Sequence, residues 1–290
     1  MKVTKAIIPA AGFGSRMLPI TKAIPKEMLP IVDKPALQYI IEEAVAAGIE
    51  DILVVTSRGK ESIENHFDRL PELENALGKP GKEELLESVL AISKLANISY
   101  IRQQEINGLA SAILMGESFA GNDPFMVLYG DDVIISKEPV TKQLIDAYNE
   151  FGLPALGIQE VEEDLISLYS SLKVEPIRNR LYMVSDMVEK PRKNEEFSLY
   201  AILGRCLLTP DIFGIIKNQK PGAGGEIQLT DAIKAIAKER GCIGVDFIGT
   251  RYDIGNKVGY LKAQVELGLS HPETAKAFKD YLKSLDLSMY

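Results

Sequence analysis

Glycines and basic side chains share one short segment near the start of the chain. Residues 9–30 read PAAGFGSRMLPITKAIPKEMLP, in which Gly12 and Gly14 are followed by Arg16 and Lys26. Glycines permit a tight turn and allow backbone N–H groups to approach a phosphate, and cationic side chains neutralise its charge. The spacing therefore predicts a phosphate-binding loop, although a surface loop with solvated cations has the same composition.

The same segment is an incomplete match to the dinucleotide-binding pattern G-x-G-x-x-G. Met17 stands where the third glycine is needed, and Asp33, the candidate acidic residue for a ribose, precedes a predicted helix instead of ending a strand. Pro19, Pro25 and Pro30 interrupt the chain, so it is expected to be extended or turned rather than helical. These features favour a polyphosphate ligand over a redox dinucleotide.

Carboxylates follow a predicted strand and recur near the end of the chain. The strand FMVLY at 125–129 leads into Asp131 and Asp132, and Asp253 lies in the segment RYDIGN. Mg²⁺ takes oxygen ligands in proteins and commonly keeps phosphates and waters in its shell. Because side chains alternate along a strand, one of the adjacent aspartates is expected to face a ligand. The pattern predicts one metal ligand at Asp131 or Asp132 and makes Asp253 a candidate second ligand, with an ordinary turn as the alternative for each motif alone.

A carboxylate and an ammonium group lie side by side at the end of another predicted strand. Glu189 and Lys190 belong to the segment VEKP, a pairing that suits a ligand with both hydroxyls and a phosphate, such as a sugar phosphate. Combined with the glycine loop and the aspartates, this pair favours phosphoryl or nucleotidyl transfer. Such reactions depend on positioning and charge neutralisation more than on a protein nucleophile.

Strands and helices alternate in the first half of the chain, which would position these residues. The apolar patterns predict strands at 5–8, 51–56, 98–102 and 125–129, and helices at 35–47, 59–69, 82–96 and 108–119. Such alternation predicts an α/β fold with a parallel, doubly wound sheet, in which ligands bind at the carboxyl ends of the strands. The chemical motifs lie at those ends.

The second half of the chain has a different pattern. Closely spaced strands are predicted at 154–161, 171–175, 181–189 and 199–208, and helices at 211–217, 228–239, 257–269 and 273–285. Short gaps between strands favour an antiparallel or mixed addition to the sheet. Because no Pro-, Gly- or Ser-rich linker separates the halves, we expect one domain over 1–290, with C-terminal helices at 257–290.

The composition excludes several classes of function. The net charge is −8, whereas a nucleic-acid-binding protein is expected to carry a basic excess. Two cysteines and two histidines are too few for a disulfide scaffold or a zinc cluster. No apolar run approaches the roughly 18 residues that a membrane span requires. We therefore expect a cytoplasmic protein with no nucleic-acid or membrane partner.

Residues 9–35, PAAGFGSRMLPITKAIPKEMLPIVDKP, resemble the bacterial UTP–glucose-1-phosphate uridylyltransferases of the sugar-phosphate nucleotidyltransferase superfamily. Further matches follow in the family's order along nearly the whole chain: IENHFD (63–68), RQ (102–103) with Gly108, GDD (130–132), VEKP (188–191), AILGR (201–205), PGAGGEIQLTDAI (221–233) and YDIGNK (252–257). The resemblance implies a Rossmann-like core, Mg²⁺ as cofactor, and formation of UDP-glucose and pyrophosphate from UTP and glucose 1-phosphate. It also implies a homodimer or homotetramer, for which 257–290 could form an interface.

The resemblance assigns roles to individual positions. The nucleotide-binding residues would be Ala10, Ala11, Gly12, Gly14, Gln103 and Gly108. The catalytic residues would be Arg16 and Lys26 at the triphosphate and Lys190 at the sugar phosphate. Asp131 and Asp253 would bind Mg²⁺, and Glu189 would accept hydrogen bonds from sugar hydroxyls. Glu226 lies in a family motif without an assigned role.

Four positions on the ligand side depart from the family pattern. Ser111 replaces a histidine, Ser170 a glycine, Leu199 an asparagine and Cys206 a tyrosine, and Ser170 and Leu199 are expected near the sugar. The form Gly-Leu-Ala at 108–110 is closer to the glucose-1-phosphate thymidylyltransferases. The alternatives are therefore another hexose 1-phosphate, dTTP in place of UTP, or a weakly active nucleotide-binding regulatory paralogue.

Overall fold

The structure is a computed structural model that describes residues 2–222 and 225–289. Thirteen strands lie within these residues. In chain order they are β1 (Lys5–Pro9), β2 (Pro30–Ile31), β3 (Lys34–Pro35), β4 (Asp51–Thr56), β5 (Asn97–Arg102), β6 (Phe125–Leu128), β7 (Asp132–Ile135), β8 (Ala155–Glu160), β9 (Ser170–Arg178), β10 (Leu181–Glu189), β11 (Tyr200–Leu208), β12 (Cys242–Asp246) and β13 (Thr250–Asp253). Nine of these described strands form one sheet, in the order β5-β4-β1-β6-β11-β8-β12-β10-β9.

Helices cover this sheet and continue to the end of the described chain. They are α1 (Ala36–Ala46), α2 (Glu61–Phe67), α3 (Pro71–Leu77), α4 (Glu83–Ile92), α5 (Leu109–Leu114), α6 (Glu117–Ala120), α7 (Val140–Phe151), α8 (Asp211–Lys217), α9 (Leu229–Arg240), α10 (Lys257–Ser270) and α11 (Ala275–Ser284). None of the described helices is both long and apolar enough to cross a membrane.

The strand directions confirm the predicted fold class. β5, β4, β1 and β6 pair in parallel, and β11 and β10 are the strands of the large sheet that run against the others. Parallel strands need crossover connections, which helices supply between β1 and β6. β10, which pairs in antiparallel fashion with β9 and β12, and β11 belong to the half in which closely spaced strands are predicted, and they extend the same sheet.

The sheet places a ligand crevice beside β1. The chain runs from β1 outwards through β4 to β5 and then returns to β6 on the other side of β1, so the strand order reverses there. Ligands bind outside the carboxyl ends of strands at such a reversal. The two strand ends lie close together, because a Cβ atom on Gly130 would be 3.0 Å from the carbonyl oxygen of Pro9.

The core has two layers, one on each face of the sheet. Ile7 and Ile8 are both fully buried but belong to different clusters, as the alternation of side chains along a strand requires. Arg205 of β11 is also fully buried, and its Nη2 lies 2.5 Å from Oε2 of Glu43 on α1. Glu43 accepts further hydrogen bonds from the backbone and hydroxyl of Thr141. This network joins α1, α7 and β11.

Several elements differ from the sequence predictions. Patterns in the sequence did not predict α3, α7, β2, β3, β7, β12 or β13; of these strands, β2 and β3 are two residues long and β7 and β13 four. The helix predicted at 108–119 is divided into α5 and α6. Between them Gly116 packs so closely on β1 that a Cβ atom would be 2.3 Å from the side chain of Ile7.

The proline-rich segment after β1 is turned, as predicted. It forms three single turns of 3₁₀ helix, at Ser15–Met17, Ile20–Lys22 and Lys26–Met28. Gly14 precedes the first turn with φ 67°, a left-handed conformation that glycine adopts without strain. The segment therefore brings Arg16 and Lys26 back over the end of β1.

Candidate functional site

Two cavities meet at the carboxyl ends of β1 and β6. The first, the loop cavity, has a volume of about 250 Å³ and is lined by Pro9, Ala11, Gly12, Lys26, Gln103, Gly108 and Glu226, among others. The second, the Glu189 cavity, has about 230 Å³ and is lined by Arg16, Ser170, Glu189, Lys190, Thr230, Arg251 and Asp253, among others. Leu109, Tyr129 and Asp131 line both cavities, so Asp131 lies at their junction.

Asp131 is surrounded by the two cations of the glycine loop. Its carboxylate forms an ion pair and hydrogen bond with Lys26, and its Oδ2 lies 3.8 Å from Nη2 of Arg16. Burial acts to raise the pKa of Asp131, but the charges of Lys26 and Arg16 outweigh it and the pKa lies below its ordinary value. Asp131 is therefore a carboxylate at neutral pH, at the point where the two cavities join.

Asp253 is brought to Asp131 by a small two-stranded ribbon. β7 and β13 pair in antiparallel fashion with Asp253 opposite Asp132, and the backbone N–H of Ile254 donates to the carbonyl oxygen of Asp131 at 3.0 Å. Oδ1 of Asp253 accepts from the backbone of Gly255 at 2.9 Å, and its Oδ2 lies 3.5 Å from Nη1 of Arg16. The ribbon thus unites the two predicted metal ligands.

Gly255 keeps the space between these carboxylates open. A Cβ atom there would be 2.6 Å from Oδ2 of Asp131 and 3.0 Å from Oδ1 of Asp253. Oxygens of two carboxylates therefore converge on one small cradle, which fits Mg²⁺, a cation that is commonly held by one or two carboxylates with phosphates and waters. Over the part of the chain that the structure describes, there is no larger group of His, Cys, Asp and Glu side chains that could hold a metal.

Asp132 makes a different set of contacts from its neighbour. Its Oδ1 lies 2.6 Å from Nη2 of Arg251, whose guanidinium group also packs over the ring of Tyr169. Gly204 lies directly against Asp132, since a Cβ atom there would be 2.7 Å from the carboxylate. Burial raises the pKa of Asp132 to about 6, although Arg251 opposes this shift. Asp132 and Arg251 form the wall between the ribbon and the Glu189 cavity.

A buried ion pair supports the loop cavity from below. Glu27 is fully buried, and its carboxylate oxygens lie 2.9 and 3.1 Å from Nζ of Lys60 at the start of α2. Lys60 also donates a hydrogen bond to the carbonyl oxygen of Ala10, and the hydroxyl of Ser57 donates to that of Ala11 at 2.8 Å. Burial raises the pKa of Glu27 and lowers that of Lys60. The pair thereby fixes the backbone that the sequence predicts to line the nucleotide.

The remaining predicted nucleotide residues lie at the opposite wall. Gly108 has φ 116°, and a Cβ atom there would be 2.5 Å from the carbonyl oxygen of Ile227, so this position requires glycine. Gln103 follows β5, is 6% exposed, and donates from Nε2 to Oγ of Ser111 at 2.7 Å. Of the glycine-loop residues, Ala10 and Gly14 are not among those that line the cavity; they shape its backbone.

Glu189 is held in place by a hydroxyl group. Oγ1 of Thr230 donates to Oε2 of Glu189 at 2.7 Å, and burial raises the pKa of the Glu189 carboxyl. Lys190 has φ 48°, and its Nζ is 4.0 Å from Oε1 of Glu189 on a half-exposed side chain. Ser170 is 3% exposed and accepts from the backbone of Ile202 at 3.1 Å. Acidic, basic and hydroxyl groups thus converge in the Glu189 cavity.

Two of the departures from the family pattern lie away from the cavity surfaces. Leu199 is not among the residues lining either cavity and packs against the core. Cys206 is fully buried, and its thiol shares a hydrogen bond with Tyr129, which lines both cavities. Burial raises the pKa of the Cys206 thiol to about 12, so it remains protonated at neutral pH.

Sequence reasoning missed several residues of the site. Glu27 and Thr230 lie inside matched motifs, and Arg251 lies two positions before Asp253, so proximity to a motif was an available signal. Lys60 had no such signal, because nothing local indicates that its side chain reaches the carbonyl of Ala10. Within the motif at 221–233, positions 223 and 224 lie outside the described residues.

Curated proteins are similar to this chain over nearly its full length. A curated relative, the UTP–glucose-1-phosphate uridylyltransferase of Staphylococcus epidermidis, is 49% identical over 99% of both chains. The enzyme of the same name from Bacillus subtilis is 48% identical over 98% of this chain and 96% of its own.

Solved structures are also similar to this chain over most of its length. UDP-glucose pyrophosphorylase complexed with UDP-glucose has a TM-score of 0.86 and 42% identity, covering 93% of this chain and all of its own. The UTP-bound enzyme from Acinetobacter baumannii has a TM-score of 0.91 and 35% identity, covering 98% of this chain and all of its own. The family model described as nucleotidyl transferase matches residues 5–268. The chain therefore belongs to the nucleotidyl transferase family.

Proposed function

We propose that this protein is a UTP–glucose-1-phosphate uridylyltransferase, which converts UTP and glucose 1-phosphate into UDP-glucose and pyrophosphate. The observation that carries the proposal is the position of Asp131, which lies at the junction of two cavities together with Lys26 and Arg16. A reaction that joins two phosphates needs such a meeting point of charges. Relatives at 48–49% identity over almost the full length carry this name, which supports the same assignment here.

The two cavities suit the two substrates. In the proposed arrangement the nucleoside lies in the loop cavity against Gln103 and Gly108, and the sugar lies in the Glu189 cavity. An oxygen of the sugar phosphate forms a new bond to the α-phosphorus of UTP. The bond from that phosphorus to the bridging oxygen breaks, and pyrophosphate leaves with the electron pair. No covalent bond to the enzyme is required, because the substrate supplies the nucleophile.

Arg16 and Lys26 would act on the leaving group. Both cations lie next to Asp131. Burial acts to lower the pKa of Lys26, but the neighbouring carboxylates outweigh it, and the pKa lies above its ordinary value. Lys26 therefore keeps its charge at neutral pH. Stabilising charge that develops during phosphoryl transfer is commonly the largest part of catalysis in such sites. Lys190 would neutralise the charge of the sugar phosphate.

Asp131 and Asp253 would hold Mg²⁺ in the cradle that Gly255 leaves open. The bound ion would neutralise phosphate charge and orient the triphosphate. Arg16, which faces both carboxylates, is positioned to reach a phosphate in the same place.

Glu189 is the residue proposed to recognise the sugar. Its Oε2 accepts from Thr230, which leaves Oε1 available for sugar hydroxyls, and Ser170 adds a hydroxyl group to the same cavity. Leu199, which packs against the core and does not line this cavity, would act on the sugar only indirectly. A carboxylate that accepts two hydroxyls in a partly buried site gives specificity, since losing one partner costs about 1–3 kcal/mol.

The decisive experiment is a matrix of nucleoside triphosphates against sugar 1-phosphates, read by pyrophosphate release. The highest kcat/KM is expected for UTP with glucose 1-phosphate. Preference for dTTP or for another hexose 1-phosphate would replace the assigned substrates but keep the reaction class. UTP binding without turnover of any pair would instead indicate a regulatory paralogue.

Assembly and location follow as further proposals. Val258 and Leu261 of α10 are 63% and 61% exposed, which supports a contact between copies of the chain through 257–290 in a homodimer or homotetramer. Size-exclusion chromatography with light scattering tests this directly. We also propose a single domain over 1–290, because the large sheet takes strands from both halves of the chain. The proposed location is the cytoplasm.

A further inference from the structure

The side-chain amide of Gln103 is fixed in one direction by its neighbours. The backbone N–H of Gln103 continues the pairing of β5 by donating to the carbonyl of Thr56 at 2.8 Å. Its side chain is nearly buried, and Nε2 lies 2.7 Å from Oγ of Ser111 on α5. A glutamine amide presents two donors on its nitrogen and an acceptor on its oxygen, so its direction decides what a ligand meets.

Ser111 determines which end of the amide faces it. The hydroxyl group has one proton, and it lies 2.6 Å from Oδ1 of Asn107 and 3.1 Å from the carbonyl oxygen of Gly108. The Gly108 carbonyl can only accept, so the proton has an acceptor whichever way the Asn107 amide is turned. With the proton directed to Asn107 or Gly108, the lone pairs of Oγ face Gln103, and the NH₂ group of Gln103 donates to Ser111.

The opposite end of the Gln103 amide, Oε1, is consequently an acceptor. Within 2–222 and 225–289, no hydrogen bond to this oxygen from another residue is found. Gln103 lines the loop cavity beside Gly108 and Gly12. A nucleotide base in that cavity would therefore meet an acceptor at this wall.

We propose that Ser111 is a positioning residue for base selection: by accepting from Gln103 it fixes Oε1 as an acceptor for the N3–H group of uracil. This inference rests on the proposed function and names the residue that sets its base specificity. Cytosine presents an acceptor at N3, so it would place two acceptors against each other. Thymine keeps the N3–H donor, so Ser111 does not distinguish dTTP from UTP.

The amide loses its direction when the hydroxyl is removed. In Ser111→Ala, Nε2 has no partner at that wall, and the amide can turn to offer either end to the base. We expect the ratio of kcat/KM for UTP to that for CTP to fall roughly 10-fold, through a higher KM for UTP with kcat almost unchanged. Ser111→Thr keeps the hydroxyl and should restore the ratio.

The experiment has a matched control and a binding arm. Ser118→Ala removes an exposed serine on α6, one short helix further along, and should leave every value at the wild-type level. Equilibrium binding of UTP, dTTP, CTP and N3-methyl-UTP is measured without sugar phosphate. The wild type should bind UTP more tightly than CTP and N3-methyl-UTP, and the ratio of UTP to dTTP affinity should be the same in wild type and Ser111→Ala.

The outcomes separate the inference from the proposed function. An unchanged UTP-to-CTP ratio in Ser111→Ala, or equal losses for both nucleotides, overturns the role of Ser111. If wild-type protein gives no pyrophosphate from UTP and glucose 1-phosphate, the proposed function fails, while the binding ratios still test Ser111. Should Ser111→Ala lose cooperative unfolding, Ser111→Cys replaces it, since a thiol is only a weak acceptor and the same direction is expected.

Discussion

Arg16 Nη1 lies 3.5 Å from Asp253 Oδ2, although 237 positions separate the two residues in sequence. The same guanidinium group lies 3.8 Å from Asp131 through Nη2. One cation of the glycine loop therefore faces both carboxylates proposed to bind the metal. The groups proposed to bind phosphate and metal therefore form one electrostatic unit, in which a change at any member alters the others.

Asp131→Asn should abolish most activity while the fold remains. The change removes the charge that Lys26 and Arg16 face and half of the proposed metal cradle, so kcat/KM should fall about 100-fold or more. Binding of Mn²⁺ should weaken in parallel. The matched control is Asp123→Asn, which removes a surface ion pair with Lys5 at 2.8 Å. Wild-type activity and unchanged metal dependence in Asp131→Asn would refute the metal assignment.

Gly255→Ala should act on metal binding specifically. Its Cβ atom would enter the cradle 2.6 Å from Asp131 and 2.7 Å from Arg16, so the carboxylates must move apart. We expect Mn²⁺ affinity, measured by calorimetry, to fall at least about 10-fold with little loss of secondary structure. Gly214→Ala on α8 is the control, because a Cβ atom there meets nothing within 4 Å. Equal metal affinity in the two variants would contradict the cradle.

Lys60→Met should destabilise the protein strongly. It leaves Glu27 fully buried without its ion-pair partner and releases the carbonyl of Ala10, so the free energy of unfolding should fall by about 3–5 kcal/mol. The double variant Lys60→Met/Glu27→Met replaces the pair by apolar side chains and should recover a large part of this loss. Urea unfolding of both single variants and the double variant measures the coupling. Strictly additive losses would show that the two side chains act independently.

Glu189→Gln should stabilise the fold at neutral pH and impair the reaction. Burial raises the pKa of Glu189 in the folded protein. The protonated carboxyl therefore contributes its full share of the free energy of unfolding below the ordinary glutamate pKa. This contribution is lost as the pH rises through the raised pKa of the folded state. Glutamine does not ionise, so the gain in Tm over wild type should be close to zero near pH 4 and grow towards pH 8. KM for the sugar phosphate should rise about 10-fold or more.

The control for this variant is Glu196→Gln, an exposed position in the following loop. It should change neither Tm nor KM at any pH. A Tm difference between Glu189→Gln and wild type that is the same at both ends of the pH range would argue against the raised pKa.

The order of strands and helices in the first half could be predicted because each element there has its own apolar pattern. β4 contains the apolar run ILVV and becomes a buried parallel strand, and α1 ends one residue before its predicted end. The prediction was less complete for β7 and β13, which are short and gain their stability from pairing with each other. β13 has the sequence TRYD, which lacks the apolar pattern by which the four-residue strand β6 was predicted.

The sequence by itself determined the local chemistry of this protein. The glycines and prolines of 9–30 dictate a turned loop, and that loop carries Arg16 and Lys26, because backbone restrictions act over a few residues. Only the tertiary structure decided which distant groups meet. The register of β7 and β13 brings Asp253 to Asp131, and the approach of α2 to β1 buries Lys60 with Glu27. Such contacts depend on sheet order and packing, which no short stretch of sequence encodes.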